Sequence, residues 1–175
     1  MPLQVELYLE NCVDDSSPIA VNISDNYPIS PETWENWFQQ WLEILHTYLP
    51  TAPSYEISLR LTTDTEIQTL NSQYRQQDKP TDVLAFASLE ADFPQSEEML
   101  ASMPLYLGDI IVSLDTAQRQ AQQQEHSLST ELAWLTAHGL LHLLGWDHPD
   151  EESLMQMLHQ QVILLKDIGI IINLE

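Results

Sequence analysis

Residues 137–148 read Ala-His-Gly-Leu-Leu-His-Leu-Leu-Gly-Trp-Asp-His, and this stretch carries the clearest structural signal in the chain. His138 and His142 are four residues apart, so on a helix their imidazoles project from one face, one turn apart. Gly145 follows three residues later, where left-handed backbone ends a helix at little cost. The chain then turns back towards the helix with His148. The sequence therefore predicts three converging imidazoles at the end of a helix in the second half of the chain.

Three imidazoles around one ion are typical of a catalytic metal site, because a fourth position remains for water. Neutral imidazole suits zinc, although nickel, copper and iron also accept it. Cys12 is the only cysteine, so a thiolate cluster is excluded. A histidine pair four apart is weak evidence by itself, and we interpret His126 and His159 as surface or core residues. The full pattern favours one Zn²⁺ ion held by the three histidines of residues 137–148.

The same histidine spacing occurs in the long zinc-protease motif, H-E-x-x-H-x-x-G-x-x-H. The second position of that motif is a glutamate that acts as general base, and here it is Gly139. The ligand pattern is therefore present without the usual proton acceptor of a peptidase. Asp147 is the nearest carboxylate in sequence. It is a candidate catalytic base or a group that orients a ligand, and capping the turn is the alternative.

Alternating and helical patterns on both sides of this stretch predict an α+β fold with a single mixed sheet of about four strands and helices packed against it. The metal site then lies at the end of a helix in the C-terminal half. We expect one domain over residues 1–175. The predicted strands are Leu3–Glu10, Tyr55–Leu61, Asp82–Ser88 and Tyr106–Leu114, and the predicted helices begin near Pro31, Thr63, Asp115, Ser129 and Asp150.

Several local signals set the expected boundaries. Ser30 before a proline predicts an N-cap for a helix that continues to Pro50. Thr63 with Glu66 predicts a capping box, and Asp115 is expected to cap a Gln-rich helix. The remaining polar segments are expected to be loops: residues 11–28, with an optional short strand at Ile19–Ile23, and the acidic Leu89–Pro104.

The charge is strongly negative, with 27 acidic and five basic residues and a net charge of −22. A broad basic surface of the kind that grips nucleic acid is thereby excluded, and so is indiscriminate binding to an anionic membrane. An anionic substrate must instead be attracted locally, by a metal ion and a few cations. We find no apolar stretch long enough for a membrane span and no basic leader, and we expect a cytoplasmic protein with no membrane partner and no small organic cofactor.

Three motifs together resemble the YbeY family of bacterial endoribonucleases. The histidine stretch matches the family pattern H-G-x-L-H-L-x-G-[YW]-D-H. Residues 70–84 match L-N-x-x-Y-R-x-x-D-x-P-T-[DN]-V-L, and residues 107–113 match L-G-D-I-x-I-S with Val112 in place of isoleucine. The motifs span about half of the chain in the right order. The family usually continues the second block as L-S-F-P, whereas this chain has Ala85 and Ala87 in place of the serine and the proline.

The resemblance implies a zinc-dependent endoribonuclease that acts on single-stranded RNA in the maturation of small-subunit ribosomal RNA and in ribosome quality control. It implies His138, His142 and His148 as metal ligands and Arg75 as the functional arginine. We interpret Arg75 as an anion clamp, assisted by Lys79. A surface pairing of Arg75 with an acid, Asp78 or Glu66, is the alternative.

Because the chain is so acidic, we expect naked RNA to bind weakly, and the ribosome or a ribosomal protein to direct the chain to ribosomal RNA. Two other functions remain open. One is a zinc-peptidase-like hydrolase that lacks the usual glutamate. The other is a non-catalytic ribosome-assembly or interaction protein with a structural metal.

Overall fold

The computed structural model describes residues 3–12, 29–88 and 103–174. Within these residues the chain forms four strands, five α-helices and one 3-10 turn. In chain order they are β1 (Val5–Asn11), α1 (Pro31–Ile44), the 3-10 turn His46–Tyr48, β2 (Tyr55–Thr62), α2 (Asp64–Arg75), β3 (Val83–Ala87), β4 (Leu105–Ser113), α3 (Leu114–Gln124), α4 (Leu128–Leu143) and α5 (Glu151–Asp167).

The four strands form one mixed sheet in the order β1-β2-β4-β3. β1 and β4 both run parallel to β2, whereas β3 pairs antiparallel with β4. A register shift in the β2–β4 pairing coincides with Gly108, whose φ of 138° suits glycine. A Cβ atom at Gly108 would lie 2.2 Å from the carbonyl oxygen of Phe86 on β3. The predicted α+β class with about four mixed strands is confirmed.

The two faces of the sheet are covered unequally. One face supports the main core, which includes buried side chains from α1, α4 and α5. On the other face a smaller cluster of Ile67, Leu84 and Ile111 lies under α2. The strands β3 and β4 supply residues to both clusters, because successive side chains of a strand point to opposite faces. The core face is therefore the one that positions α4 and its histidines.

Aromatic side chains anchor α1 to the C-terminal helix. Ser30 accepts a hydrogen bond from the backbone of Thr33, as its predicted N-cap role requires. Trp34, Phe38 and Trp41 are completely buried. The indole of Trp41 donates to the carbonyl of Leu164 on α5 at 2.9 Å. The first and last helices of the described fold are thus joined directly.

Gly139 allows α4 to lie unusually close to the sheet. A Cβ atom at this position would be 2.8 Å from Cγ2 of Ile110 and 3.3 Å from Cγ2 of Val83. Any side chain there would have to push the helix away from β3 and β4, and with it the two histidines on either side. The residue that stands in place of the protease glutamate is therefore required by packing.

Some predicted boundaries are wrong, and the reasons are local. Ser113, not Asp115, caps α3 by accepting from the backbone of Thr116, while the Asp115 carboxylate accepts from the backbone N–H of Asp64, the first residue of α2. α1 ends at Ile44 rather than at Pro50, because the chain tightens into the 3-10 turn.

Two further predictions need correction or cannot be compared. Thr63 caps α2 as predicted, but the carboxylate of Glu66 bonds to the Thr62 hydroxyl and to Arg60 instead of closing a capping box. The optional strand at Ile19–Ile23 and residues 89–102 of the acidic loop lie outside the described residues. None of the described helices combines the length and the apolar character needed to span a membrane.

Candidate metal centre

The end of α4 brings the predicted histidines together. The helix begins after the N-cap Ser127, and its last turn closes through a bond from the backbone N–H of Trp146 to the carbonyl of Leu141. Gly145 has a φ of 95°, as predicted for a left-handed helix end. The indole of Trp146 then packs edge-on against Tyr48, with 5.5 Å between the ring centroids. The chain is thereby turned so that His148 faces the helix it has just left.

Each of the three imidazoles offers one nitrogen, and these nitrogens all lie within 4.8 Å of one another. The Nε2 atoms of His138 and His142 are 3.0 Å apart. Tetrahedral zinc with bonds of about 2.0–2.1 Å holds two ligand nitrogens roughly 3.4 Å apart, so small side-chain movements suffice for coordination. No cysteine or carboxylate joins this group within the described ranges. Three neutral nitrogen donors at this spacing fit a divalent transition-metal ion.

A buried amide orients the first of these imidazoles. Gln161 on α5 is completely buried, and its Nε2 donates to the carbonyl of Trp134 at 3.2 Å. That bond directs Oε1 of Gln161 towards Nδ1 of His138, at 2.9 Å. An amide oxygen only accepts, so Nδ1 carries the proton and Nε2 presents its lone pair to the centre. Hydrogen bonding of this kind behind a histidine ligand fixes both its tautomer and its ring orientation.

Burial keeps two of the imidazoles neutral. It lowers the pKa of His138 below the ordinary value of 6.5, and the neighbouring His148 lowers it further, although the Gln161 bond opposes the shift. Burial also lowers the pKa of His142, assisted by His138 and His148. Since only a neutral imidazole has a lone pair for a metal, both residues are competent ligands at neutral pH.

Arg75 lies beside the histidines, in a pocket of about 460 Å³ that it lines together with His142 and Asp147. Its Nη2 donates to the carbonyl of Ala85 at 2.9 Å, and its guanidinium lies 5.1 Å from the centroid of the Phe86 ring. Neither of the acids proposed as surface partners binds it. Glu66 pairs with Arg60, and Asp78 accepts from Gln68. Across the described ranges Arg75 forms no ion pair with a carboxylate.

The remaining predicted site residue, Asp147, lies at the rim of the same pocket. Its Oδ1 accepts from the backbone N–H of His148 at 2.8 Å, so the carboxylate braces the turn that carries the third imidazole. Of the residues that line the pocket, Asp147 is the one carboxylate. His126 lies elsewhere, with its Nε2 2.6 Å from the carboxylate of Glu131, and neither it nor His159 belongs to the three-histidine group.

Sequence reasoning did not find Gln161. Its only signal was position: with Met157 and Leu164 it forms the buried face of α5, and it is the polar member of that apolar face. A glutamine at a core position needs hydrogen-bond partners, and the nearby histidine motif was the place to look for them. The side chains of Ala85 and Ala87, where the family pattern has serine and proline, pack against the main core beside the pocket.

The outward edge of β3 is partly covered by side chains. The backbone N–H of Ser113 donates to the carbonyl of Asp82, so with the antiparallel register the backbone groups of Val83 and Ala85 point away from β4. Of these groups, the N–H of Val83 donates to the Asp82 carboxylate at 2.7 Å, and the carbonyl of Ala85 accepts from Arg75. The edge nearest the pocket is thus poorly suited to pairing with another strand.

Known proteins are similar to this chain over most of its length. The family model described as Endoribonuclease YbeY matches residues 20–169. The protein named Endoribonuclease YbeY in Trichormus variabilis is 69% identical over 174 residues, covering 98% of each chain. The one of that name in a Nostoc species is 69% identical over 173 residues, covering 98% of this chain and 94% of its own.

One solved structure shares the fold. The solution structure of TM1509 from Thermotoga maritima superposes with a TM-score of 0.52 at 24% identity, covering 93% of this chain and 89% of that one. At this identity the likeness supports the fold alone. The family model and the curated relatives extend over nearly the whole chain, beyond the motifs around the three histidines. The chain therefore belongs to the YbeY endoribonuclease family.

Proposed function

We propose that this chain is a zinc-dependent endoribonuclease that cleaves single-stranded RNA, acting in the maturation of small-subunit ribosomal RNA and in ribosome quality control. Membership of a family whose curated relatives are named Endoribonuclease YbeY supports the reaction class. A group of three imidazoles able to hold a metal ion supports metal dependence. Zinc is the ion we propose, because an all-nitrogen, four-coordinate site with one position for water is a common zinc arrangement.

The observation that carries the proposal is the environment of Arg75. In a chain with 27 acidic residues, Arg60 is 2.8 Å from Glu66 and Arg119 is 2.8 Å from Asp64. Arg75 instead rests on a carbonyl and an aromatic ring, in the pocket that contains His142. These contacts hold the planar guanidinium without neutralising it. A positive group that forms no ion pair with a carboxylate of the described residues and lies beside a candidate metal centre is well suited to recognise a phosphate.

Each residue of the proposed site has a separate role in phosphodiester cleavage. A divalent ion held by His138, His142 and His148 would supply Lewis acidity, which lowers the pKa of a bound water towards about 7. Arg75 binds non-bridging phosphate oxygens and stabilises the negative charge that grows on them as the phosphodiester is attacked. Asp147 accepts a proton at the rim of the pocket. Lys79 is exposed and is not among the residues that line this pocket, so its contact with the RNA backbone stays a prediction.

Two observations weigh against a peptidase. Gly139 occupies the position of the protease glutamate, and packing against Ile110 leaves no room for a side chain there. Peptidases that bind an extended substrate along a sheet edge use free backbone groups of that edge. Here the N–H of Val83 and the carbonyl of Ala85 are already bonded to side chains of the same chain.

The negative charge bears on where the enzyme finds its substrate. With a net charge of −22, long-range electrostatics repel RNA from most of the surface. We therefore propose that the ribosome or a ribosomal protein brings ribosomal RNA to the pocket, that the chain acts in the cytoplasm, and that residues 1–175 work as one domain. A purely structural metal would not explain why Arg75, which forms no ion pair with any carboxylate in the described part of the chain, lies in the pocket with His142, and this disfavours the non-catalytic alternative.

The test is a metal-exchange experiment with two classes of substrate, RNA and protein. The purified protein is stripped with a chelator, reloaded with zinc, manganese or nickel, and assayed on structured and single-stranded RNA and on casein. We expect cleavage of single-stranded RNA that disappears with the metal and returns with zinc, and no cleavage of casein. Unchanged RNA cleavage after verified removal of the metal, or cleavage of casein, would contradict the proposal.

A further inference from the structure

A second pocket lies close to the metal centre and has no role in the mechanism above. It encloses about 620 Å³, within the size range of small-ligand sites. The Gln-rich helix α3 supplies Gln120, Gln123 and Gln124 to its wall, and the C-terminal segment supplies Asn173. We call it the amide pocket, because these four side chains all end in a primary amide.

We call the pocket lined by Arg75, His142 and Asp147 the metal pocket. The amide pocket and the metal pocket follow one another along α4 and the start of β3. Trp134, His138 and His142 follow one another at intervals of four, so they share one stripe of the helix. Trp134 lines the amide pocket and His142 lines the metal pocket, with His138 between them. On the strand side, Asp82 belongs to the amide pocket and the next residue, Val83, to the metal pocket. One helical turn, about 5.4 Å, separates Trp134 from the first imidazole, a distance that a single nucleotide spans.

The chemistry of the amide pocket suits a nucleobase rather than a phosphate. Among the described residues that line it there is no lysine or arginine. Its carboxylates are engaged within the chain: Glu131 bonds to His126, and Asp82 accepts from the backbone of Val83 and from the Gln120 amide. What remains are the amides of Gln123, Gln124 and Asn173, which both donate and accept, an indole surface and several apolar side chains. Base edges are read by amide side chains, and unstacked bases of single-stranded RNA stack on aromatic rings.

We propose that the amide pocket holds a nucleobase adjacent to the cleaved phosphodiester, stacked on Trp134 and hydrogen-bonded by the amides of α3. The pocket thereby gives the nuclease a base preference at that position. This inference rests on the proposed ribonuclease function. It also gives a role to the glutamines of α3, which pack little in the core, since the buried residues of that helix are Leu114, Ala117 and Ala121.

The experiment is an abasic scan of an RNA substrate. Each nucleotide around the cleavage site is replaced in turn by an abasic residue, and kcat/KM is measured for the zinc-loaded enzyme. For the wild type, one position next to the cleaved bond should lower kcat/KM by about 5- to 100-fold, the worth of one base stacked on an aromatic ring. In Trp134→Ala that dependence should vanish, because intact and abasic RNA are then cleaved equally slowly, and Trp134→Phe should keep most of it.

Glutamine variants keep the test independent of any folding defect at Trp134. Gln123→Ala and Gln124→Ala should change the ratio of kcat/KM among the four bases at the sensitive position. Gln122→Ala is the matched control, because Gln122 is exposed on the same helix and does not line the pocket. Its base ratios should equal those of the wild type.

A crosslinking measurement distinguishes a failure of the proposed base pocket from a failure of the proposed nuclease function. RNA carrying 4-thiouridine at the sensitive position is irradiated with the folded His142→Ala protein, and the crosslinked peptide is identified. Crosslinks to α3, Trp134 or residues 171–174 are expected. RNA cleavage with no abasic position of this kind, or with crosslinks elsewhere, overturns the base pocket and leaves the nuclease intact. Absence of cleavage together with specific crosslinking would instead contradict the proposed nuclease function.

Discussion

Two polar clusters of this protein differ in whether their side chains are complementary to one another in charge and hydrogen bonding. The metal cluster consists of His138, His142 and His148, three like groups whose nitrogens point at one another. The capping cluster lies where α2 and α3 begin. In it the carboxylate of Asp64 accepts from the hydroxyls of Ser113 and Thr116 at 2.6 Å and from Arg119 at 2.8 Å.

Complementary groups indicate a structural role, whereas like groups that converge indicate a binding site. In the capping cluster every donor meets an acceptor, and the positive charge meets a negative one. Burial alone would raise the pKa of Asp64, but the bonds from Ser113, Thr116 and Arg119 outweigh it and lower that pKa. In the metal cluster, three like groups converge instead, and a bound cation could take a lone pair from each of the three imidazoles. A cluster of like metal-binding groups that converge on one point therefore points to a ligand.

The largest effect should come from removing one member of the metal cluster. We expect His142→Ala to lose bound zinc and to lower RNA cleavage by about 10³-fold or more, because two imidazoles hold the ion poorly. Elemental analysis and cleavage rates measure both losses. His126→Ala is the control: its histidine bonds to Glu131 outside the cluster, so zinc content should stay at the wild-type level. Full zinc content in the His142→Ala variant would contradict the proposal that these three histidines hold the metal ion.

The next largest effect is the difference between Arg75, which lies in the pocket with His142, and Arg119, which belongs to the capping cluster. Arg75→Ala should fold normally and lose about 10²- to 10³-fold in kcat/KM, the usual cost of removing one charge-stabilising donor. Arg119→Ala should leave kcat/KM unchanged, because Arg119 serves Asp64. The measurements are cleavage kinetics and thermal unfolding of both variants. Equal activity losses in the two would mean that pairing with a carboxylate does not distinguish functional from structural arginines here.

A smaller effect is expected from the amide behind the first imidazole. Gln161→Leu keeps the volume but removes the acceptor for Nδ1 of His138. Zinc affinity, measured by competition with a chelating dye, should weaken about 10- to 100-fold, as is usual when a group that orients a ligand is lost. Gln156→Leu, an exposed position on the same helix, is the control and should bind zinc as the wild type does.

For the capping cluster the expected change is in stability alone. Asp64→Asn weakens the bonds to Ser113, Thr116 and Arg119, and we expect the free energy of unfolding to fall by about 2 kcal/mol at pH 7 with kcat unchanged. The folded pKa of Asp64 is lowered, so its contribution is complete above the unfolded pKa and is lost as pH falls through the folded value. Denaturant unfolding at several pH values should therefore show the two proteins converging in acid.

The smallest effect concerns the salt dependence of RNA binding. Few free cations imply few phosphate contacts, so the slope of log affinity against log salt for single-stranded RNA should be no steeper than about −2. Arg75→Ala should make it shallower by about 0.7, the share of one contact, and Arg119→Ala should not change it. A steep slope in the wild type would indicate that many cations bind RNA, contrary to the local attraction inferred from the acidic composition.

Most of the strands and helices, and the three histidines of the site, could be predicted from the sequence because their patterns are local. Period-two and helical patterns are local, so β1, β2 and α1 were predicted within a few residues at the ends where they begin. Histidine spacing on a helix is local too, and with the left-handed Gly145 it predicted the convergence at the end of α4. Which residue caps which helix was harder. Ser113 and Asp115 are both good caps, and only the packing of α2 against α3 assigns Ser113 to α3 and the Asp115 carboxylate to the backbone N–H of Asp64.

Contacts between distant segments lay beyond the reach of sequence patterns. Gln161 meets His138 across 23 positions, and no periodicity connects them. The close approach of Gly139 to Ile110, and the support of Arg75 by Ala85 and Phe86, depend on how α4 and α2 pack on the sheet. The resemblance to a known family identified Arg75 as important. The structure adds that Arg75 stays unpaired with any carboxylate in the described part of the chain.

The position of Gln161 on the last helix also bears on when the enzyme becomes competent during its own synthesis. His138, His142 and His148 are all synthesised before the glutamine that orients the first of them. α5 must emerge and dock, with the Trp41 indole bonded to its Leu164 carbonyl, before His138 is locked in the tautomer that binds metal. A chain in which α5 has not yet docked therefore lacks the bond that orients His138, and its three histidines are not fully arranged for a metal ion.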